Sequence, residues 1–173
     1  MPLSLRSKVI GGVIAAALVG LAMATPQSDS DRGTTPSALT ARQIVAAHNV
    51  VRSRVGVPPL VWSDEVARTA QEWAETLLAT GVFAHRGNSS YGENLFEASG
   101  LVLTPWQVVN AWASEAKDYE YAVNSCTSVC GHYTQIVWRD TRAVGCGIVR
   151  DGRREIWVCN YAPNGNIIGE RPY

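Results

Sequence analysis

Apolar residues recur at helical spacing in two stretches of the first half of the chain. The first stripe predicts a helix from a Thr40 cap to about Val55, and its members are Ile44, His48, Val51 and Val55. This stripe places His48 in a core-facing seam, which favours a buried, hydrogen-bonded histidine over a catalytic one. The second stripe predicts a helix that Ser63 caps and Gly81 ends, and its members are Val66, Ala70, Trp73 and Leu77.

A third helix begins at Thr104-Pro105-Trp106-Gln107. Threonine is a favourable cap, proline suits the first helical position, and the glutamine completes a capping box. We expect this helix to reach about Tyr119, with Trp112 and Glu115 on one face. The apolar residues of segment 82–100 follow neither the helical spacing nor the alternation of a strand, and this predicts a long irregular segment, in which His85 and Glu93 lie.

The stretch Gly131–Trp138 is rich in residues of high β propensity and predicts a strand. Side chains alternate along a strand, so one face would carry His132, Thr134, Ile136 and Trp138. His132 opens this predicted strand at the rim of the sheet, where its side chain can reach a cleft. Two further strands are predicted, at 143–150 and 155–161.

The four cysteines, an even number, favour two disulfides over a zinc site in an exported chain.

Asp151-Gly152 favours a two-residue hairpin turn, which would put Cys146 opposite Trp157. A Cys146–Cys159 disulfide requires a four-residue loop instead, or a bulge with the same shift, and that register also sets Arg150 against Glu155. We favour the second register, which leaves Cys126 to pair with Cys130.

The N-terminal segment predicts export from the cell. Residues 1–24 combine Arg6 and Lys8 with an apolar run and an Ala-x-Ala ending, which is typical of a cleaved signal peptide; an uncleaved anchor is the alternative. Residues 25–38 are polar and predict a disordered linker, and residues 39–173 predict one domain.

Cleavage leaves 13 basic and 15 acidic residues, a net charge of −2, with no basic patch for nucleic acid and no transmembrane segment.

Four motifs in chain order resemble the CAP superfamily of cysteine-rich secretory proteins, antigen 5 and pathogenesis-related 1, and the short pathogenesis-related-1-like branch in particular. They are His48-Asn49-x-x-Arg52, Gly92-Glu93-Asn94-Leu95, Gly131-His132-Tyr133-Thr134-Gln135 with Val137-Trp138, and Cys159-Asn160-Tyr161-x-Pro163-x-Gly165-Asn166. The resemblance covers residues 39–173. It implies an α+β fold, an α-β-α sandwich in which helices cover both faces of a small antiparallel sheet.

The resemblance also implies a cleft that holds His85, Glu93, Glu115 and His132. Two imidazoles and two carboxylates suit zinc or another divalent cation, with His85 and His132 as ligands and the glutamates as ligands or as groups that orient the imidazoles. The alternative is a His–Glu hydrogen-bond network that only locks loops to the sheet. No organic cofactor is expected.

The resemblance implies a secreted, monomeric protein of binding or defence type, with a lipid, a sterol or a cell-surface partner. Apolar residues such as Phe83, Phe96 and Leu101 would line a lipid groove or belong to the core. The first alternative is a metal-dependent extracellular hydrolase, although the chain has no catalytic residue that we assign and no Gly-x-Ser-x-Gly elbow. The second is a precursor whose C-terminal peptide, residues 163–173, is released as a signal.

Overall fold

The computed structural model describes residues 36–173. The predicted signal peptide and residues 25–35 of the predicted linker lie outside the described residues. Four α-helices are formed: α1 (Ala38–Ser53), α2 (Asp64–Thr80), α3 (Pro105–Ala113) and α4 (Gly131–Ile136). The strands are β1 (Val61–Trp62), β2 (Gly92–Ser99), β3 (Tyr119–Glu120), β4 (Ser125–Cys126), β5 (Ala143–Arg150) and β6 (Arg154–Ala162), and two 3-10 helices span Ser114–Asp118 and Tyr121–Val123.

The main sheet has the strand order β1-β5-β6-β2, with β5, β6 and β2 antiparallel and the short β1 parallel to β5. Helix α2 packs on one face, where Ala70, Ala74 and Leu77 meet Ile156 and Val158. Helices α1, α3 and α4 cover the other face in a second cluster, which contains Ile44, Val108, Ile136, Trp157 and Tyr161. Helices therefore lie on both faces, as the predicted α+β sandwich requires.

Helix α2 lies very close to β5 because the strand presents glycine to it. An added Cβ at Gly145 would lie 2.2 Å from the Ala67 nitrogen, and one at Gly147 would lie 2.3 Å from the Gln71 Cα. Both neighbours are backbone atoms, which cannot rotate away. The two glycines and the small residues of α2 together set the separation of helix and sheet.

The predicted helix ends are correct where capping chemistry is strong. Ser63 accepts from the Val66 nitrogen and Gly81 ends α2 in a left-handed conformation. Thr104 and Gln107 form the expected capping box. Helix α1 begins earlier than predicted, because Ser37 rather than Thr40 is its cap, and the chain after Ala113 tightens into a 3-10 turn instead of continuing as α-helix to Tyr119.

Two secondary-structure predictions are wrong. Residues 92–99, predicted as irregular, form β2, which pairs with β6 along its whole length. Residues 131–136, predicted as a strand with alternating faces, form α4. The Glu115 carboxylate accepts from the His132 and Tyr133 nitrogens at 3.0 and 3.3 Å, so it satisfies donors at the start of α4 and favours a helix there.

The favoured hairpin register is confirmed. Cys146 lies opposite Cys159 and Arg150 lies opposite Glu155. Both expected disulfides are present, Cys146–Cys159 and Cys126–Cys130. Within residues 36–173, no helix has the length and apolarity to cross a membrane.

Candidate functional site: two histidine–glutamate pairs

The first pair joins His85 to Glu93. His85 lies in the loop that follows α2, and Glu93 is the second residue of β2. The His85 Nδ1 and the Glu93 Oε1 are 2.8 Å apart, and the Arg86 nitrogen donates to the same oxygen at 3.0 Å. The Arg86 guanidinium also donates to the Thr69 carbonyl, which ties this loop to α2. The His85 side chain is 64% exposed and that of Glu93 only 6%, so a buried carboxylate holds an imidazole that solvent can reach.

The second pair joins His132 to Glu115. Glu115 lies in the 3-10 turn after α3, and His132 is the second residue of α4. The His132 Nδ1 and the Glu115 Oε1 are 2.6 Å apart. The Trp112 ring stacks on the His132 ring with centroids 6.1 Å apart and planes 17° from parallel. Trp112 itself donates to the Leu95 carbonyl of β2, which fixes its ring on the sheet.

Both pairs set the same imidazole tautomer. An ionised carboxylate only accepts hydrogen bonds, so each histidine carries its proton on Nδ1. In the neutral ring Nε2 then carries the lone pair, and no group within residues 36–173 bonds to it on His85 or on His132. A neutral imidazole with a free Nε2 lone pair is the form that binds a metal ion, and a carboxylate behind it is the usual orienting group.

A buried hydrogen-bond chain connects the backbone of His132 to α1. The Asn94 amide donates to the His132 carbonyl and to the Tyr161 hydroxyl, both at 3.1 Å. The Tyr161 hydroxyl lies 2.9 Å from the His48 Nε2, and the His48 Nδ1 lies 2.8 Å from the Ile44 carbonyl. Because that carbonyl can only accept, His48 donates from Nδ1 and accepts the Tyr161 proton on Nε2.

Burial governs the charge state of this chain of groups. It lowers the pKa of His48 to about 4 and raises the pKa of Tyr161 well above its usual value. His48 is therefore a neutral structural histidine at pH 7, which confirms the prediction from the helical stripe. Asn94 and Tyr161 were not among the predicted site residues, although both lie within the motifs that carry the resemblance.

The four predicted cleft residues are thus brought together as two pairs. Within the part of the chain that the structure describes, no group of three or more His, Cys, Asp or Glu side chains is arranged to hold a metal ion. The two pairs flank the start of β2, where Glu93 bonds to His85 on the α2 side and the next residue, Asn94, bonds to the His132 carbonyl on the other side. That both pairs bind one metal ion together stays a prediction.

The C-terminal segment, residues 163–173, packs against the same side of the molecule as α4. Thr134 and Gln135 of α4 bond to Asn166 and to the Gly165 nitrogen. The Arg139 nitrogen donates to the Pro172 carbonyl at 2.6 Å, and the Tyr173 ring stacks on Tyr121 with centroids 4.9 Å apart. These contacts hold the segment near both of its ends.

An α-β-α sandwich with two His–Glu pairs at one end of its sheet defines the class of protein. The sequence model of the cysteine-rich secretory protein family, CAP, matches residues 45–161, and the chain belongs to this family. It is 45% identical over 130 residues to pathogenesis-related protein 1A of Nicotiana tabacum, covering 73% of this chain and 77% of the relative. It is 40% identical over 162 residues to pathogenesis-related protein 1 of Arabidopsis thaliana, covering 93% and 94%.

A solved structure, NaASP2 with Zn2+, superposes with a TM-score of 0.67 at 25% identity. The match covers 83% of this chain and 88% of that chain.

Proposed function

We propose that this chain is a secreted CAP protein of the pathogenesis-related-1 type, which acts outside the cell as a defence-type binding protein. The observation that carries the proposal is the identity of 40% to a pathogenesis-related protein over 93% of this chain and 94% of the relative. Two disulfides in one small domain support an oxidising, extracellular location.

The site supports a divalent cation held by His85 and His132. Each imidazole has its Nε2 lone pair free because a glutamate accepts from its Nδ1. Glu93 and Glu115 then act as orienting groups behind the ligands, and the remaining positions on the ion are left to water or a partner. Nitrogen donors of this kind suit zinc, which polarises a bound water or carbonyl when present. NaASP2, a structural relative at 25% identity, was solved with Zn2+.

Metal analysis of the purified protein tests the cation. We expect zinc after dialysis against a zinc buffer in the wild type, and less in His85→Ala and in His132→Ala. His48→Gln is the matched control, because both nitrogens of His48 bond to protein groups. Equal zinc content in all four proteins would end the claim, provided that circular dichroism shows them folded.

A second feature supports an apolar ligand such as a sterol or a fatty acid. A groove of about 740 Å³ lies between α1 and β1, within the size range of small-molecule sites. Ala41, Val45, Leu60 and Trp62 contribute apolar surface to it, and Arg42 and Asp64 also line it. Of the residues that the sequence suggested for a lipid groove or the core, Phe83 and Leu101 are 44% and 62% exposed and Phe96 packs against the core.

Titration with a fluorescent sterol and a fluorescent fatty acid tests this groove. We expect Val45→Glu to weaken binding at least tenfold, since it puts a carboxylate on the apolar wall. Phe83→Glu and His85→Ala should leave the affinity unchanged. Loss of binding in Phe83→Glu with retention in Val45→Glu would place the ligand at the segment 82–103 instead.

A further inference from the structure

Two polar side chains on the α2 face of the sheet lack protein hydrogen bonds at buried atoms. Glu93 of β2 and Asn160 of β6 are direct cross-strand partners. Asn160 is completely buried, and the Glu93 side chain is 6% exposed. Among residues 36–173, the Glu93 Oε2 and both the Oδ1 and the Nδ2 of Asn160 have no hydrogen-bond partner. These three atoms belong to neighbouring side chains that point to the same side of the sheet.

A folded protein does not leave such groups unpaired, because the loss of hydration is not repaid. Side chains that lie directly opposite in an antiparallel pair have their Cβ atoms about 4.5–5.5 Å apart. The Glu93 and Asn160 side chains nevertheless form no direct hydrogen bond with each other. Polar atoms of such neighbours that do not bond directly can be joined by one water molecule, with a hydrogen bond of about 2.8 Å on each side.

The chemistry of the two groups matches water better than a cation. Water can donate to the Glu93 carboxylate and either donate to or accept from the Asn160 amide. A hard cation such as Ca²⁺ takes six or more oxygen ligands, whereas this site offers two unpartnered oxygens, the Glu93 Oε2 and the Asn160 Oδ1, beside an N–H donor that a cation cannot satisfy. The site is also closed to solvent on the β5 side, where Gly145 lies opposite Asn160 and α2 packs directly on that glycine.

We propose that an internal water molecule bridges the Glu93 Oε2 and the Asn160 side-chain amide, and that Asn160 is thereby a positioning residue for the His85–Glu93 pair. The Glu93 Oε1 is held by the His85 Nδ1 and the Arg86 nitrogen. The water holds the second oxygen, so both ends of the carboxylate are fixed. Asn160 acts on His85 through this carboxylate without touching it.

Water–protein cross-relaxation in the ¹⁵N-labelled protein tests the water directly. We expect a cross-peak between the water signal and the Asn160 side-chain NH₂, with the sign of a long-lived bound water. The control is the Gln71 amide, also buried on this side of the sheet, which bonds to Glu75 and Ile148 and should show no such peak. Absence of the Asn160 peak in the wild type would overturn the proposal without any variant being made.

A double-mutant cycle tests the coupling through that water. Combining Glu93→Gln with Asn160→Leu should depart from additivity by about fivefold or more in the unfolding equilibrium constant. Glu97→Gln is the matched control, since Glu97 lies on the same strand and face but bonds to Arg154. It should combine additively with Asn160→Leu. Additivity in both cycles would refute the bridge.

The position of His85 gives a readout that a merely structural asparagine would not change. We expect Asn160→Leu to weaken or broaden the hydrogen-bonded Nδ1–H resonance of His85 while leaving that of His132 unchanged. Equal changes at both histidines would refute the positioning role. Stoichiometric binding of Ca²⁺ by the wild type that Asn160→Leu abolishes would show a cation site instead of water. A wild type without zinc would defeat the proposed metal function and leave the water test unaffected.

Discussion

Arg52 is a side chain whose loss should destabilise this fold strongly. It is a completely buried guanidinium at the end of α1, and no carboxylate among residues 36–173 pairs with it. Its Nε donates to the Pro58 carbonyl at 2.7 Å, and its terminal nitrogens donate to the carbonyls of Ile136, Trp138 and Thr141 at 2.7, 2.8 and 3.1 Å. One side chain thus joins α1 to the loop before β1, to the end of α4 and to the turn before β5.

The magnitude follows from those four acceptors. Arg52→Met keeps much of the apolar stem and removes every donor. Two of the four keep another donor, because the Thr141 nitrogen donates to the Trp138 carbonyl and the Arg142 guanidinium to the Thr141 carbonyl. The carbonyls of Pro58 and Ile136 lose theirs, and a buried acceptor left unsatisfied costs about 1–3 kcal/mol, so these two cost about 2–6 kcal/mol. Burial, together with the charge of Arg142, lowers the pKa of Arg52 to about 10, yet the group stays charged at pH 7. Relief of that desolvation offsets part of the loss, and we expect a net destabilisation of about 3 kcal/mol, a large share of the stability of a domain.

Urea unfolding at pH 7, followed by tryptophan fluorescence, measures the effect. The matched control is Arg54→Met, which removes an exposed arginine two residues further on and should change stability by less than about 0.5 kcal/mol. Arg52→Lys should also be destabilised, because one ammonium group cannot reach four carbonyls arranged around a planar guanidinium. A loss below about 1 kcal/mol in Arg52→Met would refute this account of the carbonyl contacts.

Three further predictions concern stability. Since burial lowers the pKa of His48 from 6.5 to about 4, the unfolded chain binds a proton that the folded protein does not. The free energy of unfolding should therefore fall by about 3 kcal/mol as the pH drops from 6.5 to 4, and His48→Gln should flatten that profile in urea titrations. Replacing Cys146 and Cys159 by serine should cost about 3 kcal/mol in thermal unfolding, because their disulfide closes a longer loop than the other one does. Gly147→Ala should cost about 3 kcal/mol against α2, whereas Gly87→Ala, which has open space, should be close to neutral by the same measurement.

Local chemistry made much of the fold predictable. The capping groups of α2 and α3 lie within four residues of the backbone nitrogens that they bind, so a short stretch of sequence is enough to recognise each cap. The hairpin register follows from two facts that agree, the cysteine pair and the opposite charges of Arg150 and Glu155. His48 was predictable as a core histidine because its place in the stripe shows which way it points.

The two wrong predictions depend on partners far along the chain. Residues 131–136 favour a strand by composition, but Glu115, sixteen residues earlier than Gly131, accepts from the first turn of α4 and favours the helix. Residues 92–99 become a strand because β6 offers a complete edge to pair with. Local propensity is a weak prior against such tertiary contacts.

The candidate site was predictable in its members and not in its arrangement. Family resemblance supplied His85, Glu93, Glu115 and His132, and the helical spacing supplied Trp112 beside Glu115. Which glutamate bonds to which histidine depends on where the loop after α2 and the 3-10 turn after α3 return to the sheet. Nothing in the sequence indicated that the Asn160 amide matters to the site, because its relation to Glu93 depends on the pairing of β6 with β2.

The close contact between α2 and β5 has a consequence for any effort to redesign this domain. Because Gly145 and Gly147 let the helix backbone rest on the strand, α2 and the sheet have no room to slide past one another. The loop that contains His85 begins at the end of this closely packed helix, whereas His132 lies on the short α4 on the opposite face of the sheet. Grafting new loops for a chosen ligand should therefore begin on the His85 side, where the helix that carries the loop is packed directly on the sheet.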